Sequence, residues 1–343
     1  MPTELSTACV RGLPSRSRPP SGCRGDLHFP GGPDARHSRH RPDTVPTPFV
    51  IATEQPLRDP VAVAHTRVRH RLAADLLGTS LVRIRTLPVG DSGYSELMRE
   101  AAWARSEDRS LLHKFTHHIV VMGHVPPVSQ PDHGQALRAI ARAIAEACDG
   151  LVYDAWSHQV LPHDFRHGLE HPEFCLADDW LATFISEGGG PSGEGRVLPR
   201  RARLQLTTAG LHRFALPELE ARSVPVSNVF AAVTLLRCLA VTLLCEHWDW
   251  LACNPGARSR HLPDHTWVEG RDVWRYWAAE PTATVGGRVH VRLQHAGEEG
   301  PEALPYLAVG PPSDFSGKPR EWWNDVVDLS MPYVPEAPRR TAA

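Results

Sequence analysis

An alternation of short apolar runs with amphipathic helices between residues 49 and 155 constrains the fold of this chain most. Residues 49–52 form an apolar run suited to a buried strand. Asp59-Pro60 follows, with the proline at the first position of a helix. That helix is predicted over residues 61–77, where apolar side chains recur every three or four positions and a glycine stops the pattern.

The same order then repeats along the chain. Alternating apolar residues predict a strand over 81–87, and a helix is expected from 92 to about 112. A second apolar strand over 117–122 is followed by a strongly periodic helix over 132–148 and a strand over 150–155. Two strand–helix–strand units in succession predict a ferredoxin-like (split βαβ) sheet, because such units pack their helices on one side of one sheet.

The C-terminal half predicts a second α+β domain with one buried central helix. Its longest apolar stretch, residues 229–245, is interrupted by polar residues and is short for a membrane span of about 20 residues. We therefore expect a core helix there. The predicted strands of this half are 180–186, 203–208, 288–294, 306–309 and 326–329. The first two are expected to form a hairpin around a glycine-rich loop at 188–195.

The two ends of the chain are rich in proline and lack apolar periodicity. Residues 1–48, a basic Pro/Arg-rich head, and residues 333–343 are predicted to be disordered, because they bury too little surface to offset the entropy of ordering. The folded domains are then expected at about 49–165 and 178–332. The seven cysteines form no CxxC pair, and the composition is typical of a GC-rich bacterial genome, so we expect a bacterial cytoplasmic protein.

One segment resembles a known pattern. Residues 206–220 read Leu-Thr-Thr-Ala-Gly-Leu-His-Arg-Phe-Ala-Leu-Pro-Glu-Leu-Glu, and residues 148–154 read Cys-Asp-Gly-Leu-Val-Tyr-Asp. Together they resemble uncharacterised bacterial families of α+β domains with Thr-x-Gly-Leu followed by Phe-Gly-Leu-Pro-Glu-Leu-Glu, in which glycine stands at the position of Ala215. The resemblance implies no activity. On the residues themselves, Glu218 and Glu220 are expected to point outwards, and the side chains expected to dock onto the core are Leu211, Phe214, Leu216 and Leu219.

Histidine and cysteine cluster after the predicted core helix. The candidate metal ligands are His247, Cys253, His261 and His265. A tetrahedral Zn²⁺ site needs about four converging nitrogen or sulfur ligands, and this set offers them, although zinc modules usually contain paired CxxC ligands. An ordinary solvated loop is the alternative. We expect no cofactor unless zinc binds here.

Tryptophan is concentrated in the same half of the chain, because most of its ten tryptophans follow residue 247. Tryptophan is enriched in binding surfaces, where it supplies a large rigid face with one polar N–H, but it also fills cores. Trp274 and Trp277 have a spacing that places both rings on one face of a short helix after Asp272. The candidate binding residues are Trp267, Trp274, Trp277, Trp322 and Trp323.

These features predict a non-catalytic protein-binding module whose C-terminal domain presents tryptophans to a protein partner. The enzyme alternative is a metal-dependent hydrolase that uses the His/Cys loop. A net charge of −2 provides no strong positive field, so neither nucleic acid nor an anionic membrane is expected as a partner. No nucleotide loop ending in Gly-Lys-Ser/Thr and no Gly-x-Ser-x-Gly turn is present in the sequence.

Overall fold

A computed structural model describes residues 37–101, 113–161, 174–187, 202–278, 287–296 and 306–331. The strands are β1 (His37–His40), β2 (Val45–Thr53), β3 (Val82–Pro88), β4 (His117–Val125), β5 (Leu151–Asp154), β6 (Gln159–Val160), β7 (Ala182–Glu187), β8 (Arg203–Ala209), β9 (Glu218–Pro225), β10 (Ser259–Leu262), β11 (His265–Glu269), β12 (Arg288–Ala296) and β13 (Tyr306–Gly310). The helices are α1 (Pro60–Arg67), α2 (Arg71–Leu76), α3 (Ser95–Glu100), α4 (Asp132–Cys148), α5 (Val229–Cys253) and α6 (Asp272–Tyr276). A C-terminal helical segment consists of Pro319–Glu321, a π-helical piece Trp322–Val327, and Asp328–Ser330.

The first sheet has the strand order β3-β4-β2-β5-β6, and every neighbouring pair is antiparallel. This order confirms the predicted ferredoxin-like topology, with α1, α2 and α4 against one face of the sheet. The helix predicted over 61–77 is divided into α1 and α2. The division follows from a second helix start, because the imidazole Nδ1 of His70 accepts a hydrogen bond from the Ala73 N–H at 3.2 Å.

The second sheet has the order β11-β12-β13-β9-β8-β7. β7 and β8 pair antiparallel, which confirms the predicted hairpin partners, and β9 pairs parallel with β13. The predicted buried helix is confirmed as α5, which packs against this sheet and extends eight residues beyond the predicted end at residue 245. Among the described residues α5 alone is long and apolar enough to cross a membrane, but 67% of its apolar window is buried, as in core helices.

One continuous apolar core contains side chains from both sheets. α4 and α5 contribute to it, as do Phe49 and Ile51 of β2 and Val289 and Val291 of β12. A smaller apolar cluster lies on the opposite face of the first sheet, where Met98 of α3 packs near Tyr153. The first large sheet therefore ends with β6 and the second begins with β7, but the two sheets share one apolar core.

Ordered structure begins earlier than the predicted boundary at residue 48, because β1 and most of the proline-containing start of β2 precede it. Pro46 and Pro48 are tolerated because this part of β2 pairs with β4 on one side only. On the other side their carbonyl oxygens accept hydrogen bonds from Trp156 Nε1 and the Ala155 N–H. Residues 1–36 and 333–343, also predicted to be disordered, lie outside the described residues.

β1 pairs antiparallel with β10 in a separate two-stranded sheet, so the start of the described chain is attached to residues just after α5. The predicted strand over 326–329 is wrong. Those residues belong to the C-terminal helical segment, which places Trp322, Trp323 and Val327 together in the core.

Burial of α5 gives a direct test of this core. Leu236 is fully buried, whereas Phe230 on the same helix is 66% exposed. Leu236→Asp is expected to abolish soluble expression, because it forces an unpaired charge into the interior at a cost of several kcal/mol. Phe230→Asp is the matched control and should express like the wild type, since its charge meets solvent near a helix N-terminus. Equal soluble yields of the two variants would show that α5 is not the core helix.

Candidate functional site

A fully buried ion pair joins the two sheets. Arg213 lies in the turn Leu211–Phe214 between β8 and β9, and Asp154 ends β5. The Nη2 atom of Arg213 donates to both carboxylate oxygens of Asp154, at 2.7 and 2.6 Å. Arg213 Nε donates to the Gly210 carbonyl, and the Trp156 N–H donates to Asp154. Each charge is thus held by several hydrogen bonds, as a buried ion must be.

The backbone of this turn explains the residues that carry the resemblance. Gly210 has φ of 129°, and a Cβ there would lie 2.1 Å from the carbonyl oxygen of Trp180, so only glycine fits. Ala215 has φ of 60°, in the left-handed region that favours glycine. Asp154 and Arg213 belong to the two resembling segments, so the ion pair physically connects them.

Trp180 packs against two buried arginines beside this pair. The guanidinium carbon of Arg138 lies 3.6 Å from the centre of its ring, and that of Arg213 lies 4.9 Å from it. An arginine over an aromatic face gains electrostatic attraction without losing packing. This contact helps to hold both guanidinium groups in the interior, where Arg138 also donates a hydrogen bond to the Asp178 carbonyl.

Glu218 also lies in the interior, contrary to the prediction that it points outwards. It is on the opposite face of β9 from Leu219, as the alternation predicts, yet it is only 2% exposed. Its carboxylate accepts hydrogen bonds from Thr208 Oγ1 at 2.7 Å and from the N–H groups of Gly210 and His212 at 2.8 and 3.1 Å. Glu220 is buried as well and accepts a hydrogen bond from Gln205.

The imidazole Nδ1 of His212 lies 3.1 Å from the carboxylate oxygen Oε1 of Glu218. Burial alone would raise the pKa of Glu218, but the hydrogen bonds from His212 and Thr208 outweigh it, so that the pKa is lowered. A carboxylate behind an imidazole is the arrangement of many general bases. Here the other nitrogen, Nε2, is buried beside Trp156 and Tyr306 and has no partner among the described residues. The arrangement therefore holds the turn and offers no open acid–base site.

The structure does not gather the predicted metal ligands. His247 is buried on α5, where its ring stacks on Trp250, and burial followed by the charges of Arg260 and Arg41 lowers its pKa to about 3. Cys253 is exposed at the end of α5, His261 is exposed on β10, and His265 lies on β11. Across the described residues, no three His, Cys, Asp or Glu side chains are placed to hold one metal ion.

The predicted tryptophans differ in exposure. Trp322 and Trp323 are 1% and 2% exposed and pack on each other in the core, so their inclusion among surface binding residues was wrong. Trp274 lies on α6 and Trp277 directly follows it, as their spacing predicts, and both are half-buried against the core. Trp267, on β11, is 45% exposed.

Trp267 is the centre of a surface that we call the Trp267 patch, made of Trp267, His265, Arg288, His290 and Arg292. Trp267 and His290 are opposite each other on β11 and β12, and their rings stack at 4.5 Å with an angle of 12°. The guanidinium of Arg288 lies 4.3 Å from the centre of the indole ring. His265 and Arg292 are the next opposed pair on the same face.

The patch contains two arginines, with Asp264 and Asp314 beside it. Within the described part of the chain Arg288 and Arg292 form no ion pair. Oδ2 of Asp264 lies 3.9 Å from Nε2 of His265, and the charge of Asp314 acts to raise the pKa of His290. Burial, and then the neighbouring His265, lower the pKa of His290. Glu269 is already paired with Arg271. Two unpaired guanidinium groups thus accompany the exposed indole.

Comparison with models of protein families, with curated proteins and with solved structures finds no match for this chain. Its candidate sites therefore rest on their own geometry. Two features qualify, the buried Arg213–Asp154 junction with Glu218 and His212, and the accessible Trp267 patch. The sequence singled out Trp267 and His265 but neither Arg213 nor Asp154.

The junction is tested by removing one charge. Arg213→Ala should lower the free energy of unfolding by about 3–5 kcal/mol, because Asp154 is left buried without a counter-charge. The double variant Arg213→Met/Asp154→Leu removes both charges and should recover much of that loss. Denaturant unfolding measures each variant. A single variant within about 1 kcal/mol of the wild type would mean that the pair is not buried.

The ionised state of the Glu218 carboxylate is tested by measuring stability as a function of pH. Since its folded pKa lies below its ordinary value of 4.5, the ionised group stabilises the fold fully above that pH, and this contribution is lost as pH falls through the folded pKa. Wild type should therefore exceed Glu218→Gln in stability at neutral pH, and the difference should shrink below about pH 4.5. Glu96→Gln, at an exposed surface pair, is the control and should show no such trend. A difference independent of pH would contradict the ionised state.

Proposed function

We propose that this chain is a non-catalytic protein-binding module that holds an acidic segment of a partner protein on the Trp267 patch. The observation that carries the proposal is that Trp267 is exposed and that its ring is held by contacts with two side chains of the neighbouring strand β12. The ring stacks on His290 and lies under Arg288, so little of its conformational freedom is lost when a partner binds. Tryptophan and arginine are the residues that most often dominate binding energy at protein interfaces.

Charge selects the partner class. The unpaired Arg288 and Arg292 favour carboxylates, which guanidinium groups bind with charge-assisted hydrogen bonds. The indole favours an apolar or planar group next to them. An acidic segment with interspersed apolar residues meets both requirements.

The alternative, a metal-dependent hydrolase, receives less support. Its proposed ligands are distributed between the buried side of α5, the end of that helix and two strands, and His247 stacks on Trp250. The bacterial cytoplasm is the location that composition favours, and it is part of the same proposal.

Peptide arrays with matched acidic, neutral and basic sequences test the proposal. Trp267→Ala should weaken binding of acidic peptides by about 2 kcal/mol, roughly thirtyfold, and change stability by about 1 kcal/mol at most. Affinity should fall with added salt, because the guanidinium charges are at the surface.

Phe230→Ala is the matched control, since it removes another exposed aromatic ring that lies on α5 and not in the patch. It should leave peptide binding unchanged. Equal binding of acidic and basic peptides, or full binding by Trp267→Ala, would refute the proposed site.

A further inference from the structure

We propose that the acidic partner segment binds in extended form, as an additional antiparallel or parallel strand on the free edge of β11. This inference rests on the proposed function and specifies how the same patch is used. β11 is the end strand of the six-stranded sheet, and its neighbour in that sheet is β12. An end strand with unused N–H and C=O groups is a template for a further strand.

The register identifies which backbone groups are unused. The Leu293 N–H donates to the Asp264 carbonyl, and the Gly270 N–H donates to the Gly287 carbonyl, each at 2.7 Å. In an antiparallel pair the hydrogen-bonded positions alternate, so Thr266 and Val268 direct their backbone groups to β12. His265 and Trp267 therefore direct their N–H and C=O groups away from the sheet.

The usable edge has a defined end. The Glu269 N–H would be the next outward donor, but it donates to the Asp272 carboxylate at 2.9 Å. Within the described residues no hydrogen bond occupies the outward groups of His265 and Trp267. The edge thus accepts a short segment and does not support extended sheet growth, in agreement with how native edge strands are protected.

The patch lies directly beside this edge. Side chains alternate between the two faces of a strand, so every second residue of an added strand would lie on the face that carries Trp267 and His265. The Arg288 side chain starts on β12, and its guanidinium carbon lies 4.3 Å from the centre of the Trp267 ring, so this cation is next to the exposed indole of the edge strand. Glutamates at alternate positions of the added strand would meet this cation.

N-methylation of the ligand backbone tests the inference. The probe is a short synthetic peptide in which glutamate and valine alternate, prepared with N-methyl groups on the amides of one parity or of the other. Strand addition predicts that one parity weakens binding at least about tenfold, while the other leaves it nearly unchanged. Both peptides have the same composition and charge, so each is the control for the other.

Amide hydrogen exchange of the whole protein supplies a readout that needs no variant. Binding of the unmethylated peptide should slow exchange at His265 and Trp267, whereas Thr266 and Val268 should be protected before the peptide is added. A different outcome is binding that depends on Trp267 but shows neither a difference between the two N-methylated peptides nor this protection of amides. That result would overturn strand addition and leave the proposed function intact. Failure of every acidic peptide, or Trp267-dependent binding of a single-stranded oligonucleotide in their place, would overturn both.

Discussion

The ion pair between Arg213 and Asp154 constrains how the two sheets of the structure meet. Both side chains are fully buried, so each charge would be strongly unfavourable without the other and without the hydrogen bonds that surround the pair. These requirements fix the turn between β8 and β9, including the backbone of Gly210 that no larger residue can adopt. They also fix where the first sheet ends relative to the second, because β5 supplies one partner and the turn supplies the other.

The remaining buried charges extend from this junction into β9. Glu218 satisfies the N–H groups of Gly210 and His212 and thereby attaches the turn to the strand that follows. β9 then pairs with β13, and β12 and β11 continue the sheet to its edge. α5 covers the apolar face of the sheet, while the alternate residues of β11 and β12 form the Trp267 patch on the other face. A rigid interior thus supports an accessible edge.

Local patterns predicted β2, β3, β4, β5 and α4 of the ferredoxin-like half, because the period of each is visible within about ten residues. The second half was harder to predict. Glu218 and Glu220 look solvent-exposed in sequence, and their burial results from donors such as Thr208 and from Gln205 on the neighbouring strand. Arg213 and Asp154 are 59 residues apart, with no local pattern that pairs them. Tryptophan content identified Trp267 but equally Trp322, since exposure is decided by distant elements that cover a ring.

The pairing of β1 with β10 has a consequence for how the chain assembles. The four residues of β1 pair with residues more than two hundred positions later in the chain, so this contact has a very large sequence separation. During synthesis the N-terminal regions emerge first, so the ferredoxin-like sheet can form while β1 is still unpaired. Closing so long a loop costs entropy before it gains any hydrogen bond, and this places the β1–β10 ribbon among the last parts of the molecule to form.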